Sequence, residues 1–316
     1  MASEICYHAA ALMPPTAARP TRFTVIMAYF MIYVVWGSTY FFIGEAAHEF
    51  PPFLLGALRF SAAGGCLMAL AFARRENIFS PQLVASSALC GLMLLFADML
   101  AIIFALRYIT SSLVAVLAAS TLIWITLLDV PRWRHYLHHP RILVGVLGGM
   151  VGVILLYWGN LLEQGEEASC GVLIFLVGAI FWSLGSLFSK YGASRYEAVN
   201  AWSGTAWQML AAAGAFWLCS LGAGEFAAVE WDSISLRAWI SLAYLILFGS
   251  LLAYSSYVWL LKTRPATEVG THAYANPFIA IMLGACLGGE SITFSQWAGL
   301  AVTLLSLFLV QGHTQN

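Results

Sequence analysis

Trp36-Gly37-Ser38-Thr39-Tyr40 stands just inside an apolar run near the start of the chain. Trp182-Ser183-Leu184-Gly185-Ser186 stands in the same way inside another run past the midpoint. A second pair of segments accompanies them. Arg107-Tyr108-Ile109-Thr110-Ser111 leads into the apolar run around Leu122, and Lys262-Thr263-Arg264-Pro265-Ala266 leads into a similar run around Pro277. The chain reads as one segment written twice. In a membrane protein such duplication implies a ligand site where the two copies meet.

Composition decides that a membrane is the solvent. Of the 316 residues 61% are hydrophobic and 9% are charged, where a soluble chain carries roughly 25% charged residues. The net charge of -1 argues against nucleic acid as a partner, which would need a clustered basic face. Cys6, Cys66, Cys90, Cys170, Cys219 and Cys286 are scattered with no CxxC pair, so neither a metal site nor a disulfide framework is signalled, and they read as small apolar packers. Residues 1–21 hold Glu4 and Pro14-Pro15 without a basic run. That is a poor signal peptide, and a disordered cytoplasmic tail is the expectation.

A span needs about 20 apolar residues. The runs 23–43, 54–73, 83–106, 109–128, 142–158, 170–189, 199–223, 238–261, 266–286 and 295–311 meet that test approximately, which predicts an all-α integral membrane protein of ten transmembrane helices. With the N-terminus inside, the cytoplasmic loops hold Arg19, Arg22, Arg74, Arg75, Arg132, Arg134, Arg141, Lys190, Arg195, Lys262 and Arg264, against Arg107 and Arg237 outside. This positive-inside bias puts both termini in the cytoplasm. Five spans per copy is an odd number, so the second copy enters the membrane upside down. The expectation is two inverted five-helix repeats, 22–160 and 168–312.

The residues resemble the drug/metabolite transporter superfamily, in its ten-span EamA-type exporter branch. The resemblance covers roughly residues 25–311. It rests on Trp36-Gly37-Ser38-Thr39-Tyr40, Pro51-Pro52 followed by Arg59-Phe60, Ala105-Leu106-Arg107-Tyr108, Ala275-Asn276-Pro277, and Gly289-Glu290 with Ile292-Thr293. It implies a bacterial inner-membrane exporter of small metabolites, often amino acids, that works by alternating access and needs no cofactor. The chain departs from the family pattern at Leu122, where a proline is frequent, at Asp98, where asparagine is common, and after span 4, where Arg132, Arg134 and His135 stand in place of a Gly-Glu pair.

Two charges, Arg59 and Asp98, are expected deep in the spans, roughly 9 and 12 Å below the outer ends at about 1.5 Å per residue. Intramembrane charges are costly and tend to face the bundle interior. One reading has Asp98 binding an amine or taking up a proton; the other makes an Arg59–Asp98 structural pair, or lets Arg59 snorkel to the interface. Trp36 and Tyr40 share one helix face, as do Trp182 and Ser186. With Ser38 they line a cavity between the copies or pack helices, with Gly37 and Gly185 giving close approach. Tyr254, Tyr257, His272 and Asn276 complete the substrate-binding candidates. His272 is also a proton-coupling candidate, and Pro277 frees a carbonyl near Ala273.

The expected function is secondary or facilitative export of small amphipathic metabolites. The expected partners are that small molecule and the lipid bilayer, in a monomer or homodimer. A phosphate-antiporting exchanger of sugar phosphates or nucleotide sugars would need more interior cations than Arg59 alone. A membrane enzyme lacks any HExxH, GxSxG or CxxC signature, and an ATP-driven pump lacks a P-loop.

Overall fold

The computed structural model describes residues 21–109, 114, 117–156, 158, 168–193, 201–288 and 294–311, and among these it is helical with no strand. The expected tail, apart from Thr21, lies outside the described residues, as do Glu290, Ile292 and Thr293. The helices are α1 (Arg22–Ala47), α2 (Pro52–Ala73), α3 (Pro81–Ala105), α4 (Leu117–Leu128), α5 (Trp133–His138), α6 (Pro140–Leu156), α7 (Ala168–Gly192), α8 (Ala201–Gly222), α9 (Leu236–Thr263), α10 (Ala266–Gly270), α11 (His272–Gly288) and α12 (Phe294–Gln311).

The helix boundaries follow from local chemistry. Thr21 accepts the Thr24 N–H at 3.2 Å and Ser235 accepts that of Ala238 at 3.2 Å, each satisfying an orphan amide of a first turn. Pro52 and Pro81 begin α2 and α3, where a missing N–H costs nothing. π segments interrupt α1 at Met31–Val35, α3 at Leu92–Ala97 and α9 at Leu245–Tyr254. Such bulges shift the hydrogen-bond ladder and expose carbonyls within the helix.

Of the ten expected spans, five helices are by themselves long and apolar enough to cross a membrane: α1, α2, α3, α7 and α9, of 26, 22, 25, 25 and 28 residues. A sixth is a bent pair, Val130–His138 and Pro140–Leu156, at 101°. The bend is at His139 (φ −123°, ψ 74°), which leaves the helical region that a following proline disfavours. The expected run 266–286 is likewise divided at Thr271 into α10 and α11, while Pro277 stays inside α11. α8 has the length, at 22 residues, but is not apolar enough to count by itself.

Packing is pairwise. α2 lies along α8 and α6 along α12; α3 and α4 pack on α7, and α9 and α11 pack on α1. Lipid gives no hydrophobic drive between helices, so small residues that allow close approach carry the contacts. A Cβ at Gly152 would meet Thr303 on α12, one at Gly299 would meet the Gly152 carbonyl, and one at Gly64 would meet Leu210 on α8. The ends of α2 and α8 are tied as well. Glu76, just beyond α2, accepts the Ser203 N–H at 2.9 Å at the start of α8, and Glu225, just beyond α8, accepts the Leu54 N–H at 2.8 Å at the start of α2. The two helices are therefore antiparallel.

Candidate functional site

Four rings from four helices converge where α1, α7, α9 and α11 meet. Trp36 lies 5.6 Å from Trp182, 5.3 Å from Tyr257 and 5.1 Å from His272, centroid to centroid. Tyr257 lies 5.3 Å from Trp182 and 5.2 Å from His272. These are tilted and edge contacts, the geometry aromatic quadrupoles favour. The two tryptophans of the duplicated segments are thus in direct contact.

A circuit of hydrogen bonds fixes this cluster. Trp182 Nε1 donates to the Tyr257 hydroxyl at 3.0 Å, that hydroxyl pairs with Ser186 Oγ at 2.6 Å, and Ser186 Oγ donates to the Trp182 carbonyl at 2.7 Å. The i, i+4 placement of Trp182 and Ser186 makes the circuit possible. His272 Nδ1 sits 3.0 Å from the Val269 carbonyl, which leaves Nε2 as its second polar atom. Tyr254, one turn before Tyr257, donates to Gln208 Oε1 at 2.7 Å.

Other expected residues hold different posts. Ser38 donates to the Val35 carbonyl at 2.7 Å and pairs with the Tyr244 hydroxyl at 2.7 Å. It faces α9 beside the Phe42–Tyr244 stack (3.8 Å), away from the four rings. The Tyr40 side chain lies outside the described residues. Asn276, its amide nitrogen turned to the α1 bulge, donates to the carbonyls of Ile32 at 3.0 Å and Tyr33 at 3.1 Å. Asn276 therefore satisfies acceptors that the π segment exposes. Gly37 and Gly185 mark close approaches: a Cβ would stand 2.7 Å from Ile279 Cβ at the first and 2.9 Å from Leu94 Cγ at the second.

Arg59 is 7% exposed. Its Nε donates to Ser250 Oγ on the α9 bulge at 2.8 Å, and its guanidinium lies 5.1 Å from the Phe60 ring centre. Asp98 is half-buried on α3, with its backbone against Gly178. The Arg59–Asp98 pair is not formed.

Two further carboxyls, at the edges of expected spans and not deep within them, are also buried in the bundle. Asp129 is 0% exposed and Glu268 is 2% exposed. Glu268 lies inside the ninth apolar run, near its start, where a single charge scarcely lowers the hydropathy of a whole window. Its i, i+4 relation to His272 is the signal that marks it. Among the described residues no group of three His, Cys, Asp or Glu side chains is placed to hold a metal.

Comparison with known proteins gives a consistent picture. The EamA-like transporter family matches residues 23–158 and 169–311. The "Uncharacterized inner membrane transporter YedA" of Escherichia coli (strain K12) is 31% identical over 287 residues, covering 90% of this chain and 89% of the relative. The "Probable amino-acid metabolite efflux pump" of the same organism is 23% identical over 283 residues, covering 88% and 92%. A solved crystal structure at 20% identity superposes with a TM-score of 0.75, covering 93% of this chain and 99% of that chain. That likeness supports the fold.

Proposed function

This chain belongs to the EamA-like transporter family, and we propose that it exports small amphipathic metabolites, amino acids foremost, by alternating access between two inverted halves, 22–160 and 168–312. The carrying observation is the contact of Trp36 with Trp182 above Tyr257 and His272. It joins the duplicated segments at one point, with apolar walls and a few polar atoms, which is the make-up of a small-molecule site. Asp98, half-buried on α3 with its backbone against α7, adds a carboxyl that would receive an ammonium.

The inverted arrangement is supported by the antiparallel course of α2 and α8, which hold matching places in the two halves, and the pairing of helices repeats between the halves. Each contact has a counterpart when the halves are exchanged: α3 on α7 matches α9 on α1, α4 on α7 matches α11 on α1, and α2 with α8 and α6 with α12 are their own counterparts. The distribution of Lys and Arg supports an inner-membrane protein with both termini cytoplasmic. The amino-acid part of the reading draws on the efflux-pump relative and on the aromatic, nearly uncharged site.

Efflux from proteoliposomes preloaded with labelled amino acids, other small metabolites and sugar phosphates, with and without a pH gradient, tests the proposal. Saturable, protein-dependent efflux of amino acids is the expected result. Exchange confined to phosphorylated sugars would overturn it.

A further inference from the structure

The end of the bundle at which α1 begins carries a polar network that the transport reading leaves unused. Tyr29 on α1 donates its hydroxyl to Glu268 Oε1 at 2.6 Å. One turn on, the Tyr33 hydroxyl meets Thr271 Oγ1 at 2.5 Å, and Thr271 Oγ1 lies 2.6 Å from the Glu268 carbonyl. On the other side, the Tyr136 hydroxyl sits between Asp129 Oδ2 at 2.6 Å and Thr267 Oγ1 at 2.5 Å, and Tyr191 donates to Asp129 Oδ1 at 2.8 Å. Lys190 donates to the carbonyls of Leu261 at 2.8 Å and Arg264 at 2.5 Å. These bonds tie the ends of α1, α4, α5, α7, α9 and α10 together.

The two buried carboxyls differ in one respect. Each Asp129 oxygen has a phenolic donor, so its charge is satisfied. Glu268 has one donor for two oxygens, and its Oε2 is buried without a partner. Lys190 directs its hydrogen bonds to the two carbonyls and forms no ion pair with Glu268. An anionic oxygen with no donor, shut away from water, is costly. A proton on that carboxyl removes the charge; opening of this end lets water reach it instead.

We propose that the Glu268 carboxyl is a proton-binding site, and that its protonation favours closure of the end at which α1 begins. Of the other charged and titratable groups around it, Tyr29 on α1 bonds to it, Lys190 on α7 bonds to the carbonyls of Leu261 and Arg264, and His272, four positions on, packs its ring on Trp36, Trp182 and Tyr257. Asp129, Tyr136 and Tyr191 lie beyond Thr267. The inference goes beyond the transport reading and is measured without a substrate, so failure to find a substrate does not bear on it.

The test uses the full chain with Cys6, Cys66, Cys90, Cys170, Cys219 and Cys286 replaced and one reporter, Ala275→Cys, in nanodiscs. Ala275 is 5% exposed and is linked to this end through Thr271, whose carbonyl accepts the Ala275 N–H at 3.3 Å and whose hydroxyl bonds the Glu268 carbonyl at 2.6 Å. The rate of labelling by a hydrophilic maleimide is measured across pH with Glu268 present and with Glu268→Gln. The ratio of the two rates at each pH cancels the reporter's own ionisation and any contribution from Lys190 or His272. We expect a ratio near one at low pH that rises with pH, by at most about tenfold per unit for one proton. A ratio that does not change with pH overturns the proposal. Tyr29→Phe supplies a second readout should the glutamine variant fail to fold. Loss of the single donor to the anion raises labelling at high pH and leaves labelling at low pH unchanged; equal labelling to the parent at every pH overturns it.

Discussion

Glu76 and Glu225 occupy reciprocal posts: each follows one helix of the α2–α8 pair and caps the start of the other. Glu76 accepts the amides of Trp202 at 3.4 Å and Ser203 at 2.9 Å, and Glu225 those of Phe53 at 3.5 Å and Leu54 at 2.8 Å. A carboxylate at a helix N-terminus satisfies orphan N–H groups and complements the dipole. The duplicated halves thus lock one another at both ends of this pair by the same device.

Truncating either cap should cost about 1 kcal/mol. The two caps stand at opposite ends of antiparallel helices, so the losses in Glu76→Ala and Glu225→Ala should add in the double variant. Chemical unfolding of the purified protein in detergent micelles reads this directly. A double variant no less stable than the singles would mean that the two ends do not act independently.

Tyr257→Phe removes the oxygen that links Trp182 Nε1 to Ser186 and leaves the ring contacts intact. The indole N–H then has no acceptor, a loss of about 1–3 kcal/mol when buried. Substrate affinity should fall by roughly tenfold or more, since about 1.4 kcal/mol is a factor of ten, with the protein still folded. Transport KM and thermal stability, taken together, separate the two effects.

Two glycines on α1 should respond in opposite ways to alanine. A Cβ on Gly37 would stand 2.7 Å from Ile279 Cβ, whereas one on Gly44 meets nothing within 4 Å. Gly37→Ala should therefore destabilise by about 1–3 kcal/mol through overpacking against α11. Gly44→Ala should be neutral or stabilise by up to about 1 kcal/mol through helix propensity. Unfolding midpoints of the two variants decide the matter.

Outside the spans, Glu49 between α1 and α2 accepts the Ser235 hydroxyl at 2.6 Å and the Ser235 N–H at 2.5 Å at the start of α9. The Ser235 hydroxyl first, and its N–H second, hold the Glu49 carboxyl below the usual glutamate range. A depressed carboxylate contributes stability above its unfolded value and loses it as pH falls through the folded one. Glu49→Gln should thus melt below the wild type at neutral pH, and the gap should shrink as pH drops below about 4.3. A gap that is constant from neutral to acidic pH would rule out this linkage.

Much of the fold was legible because hydropathy and turn chemistry are local. The Pro51-Pro52 step falls between α1 and α2, and Trp36 and Trp182, at matching places in the duplicated segments, are in contact. The site was legible in part. Tyr257 and His272 join the two tryptophans, but Ser38 turns to Tyr244, and Arg59 goes to Ser250 instead of Asp98. Glu268 escaped notice because one charge at the start of an apolar run leaves the window apolar. Its meaning depends on Tyr29, 239 positions away.

The sequence alone determined that this chain is an all-helical membrane protein with a duplicated interior, since insertion depends on the summed apolarity of each run and little on its neighbours. Tertiary structure decided which polar atoms face one another. In lipid the outer and inner faces of a helix are both apolar, so periodicity does not tell them apart. Only the meeting of α1 with α7, α9, α10 and α11 put Trp36 on Trp182, Asn276 on the carbonyls of the α1 bulge, and Tyr29 on Glu268.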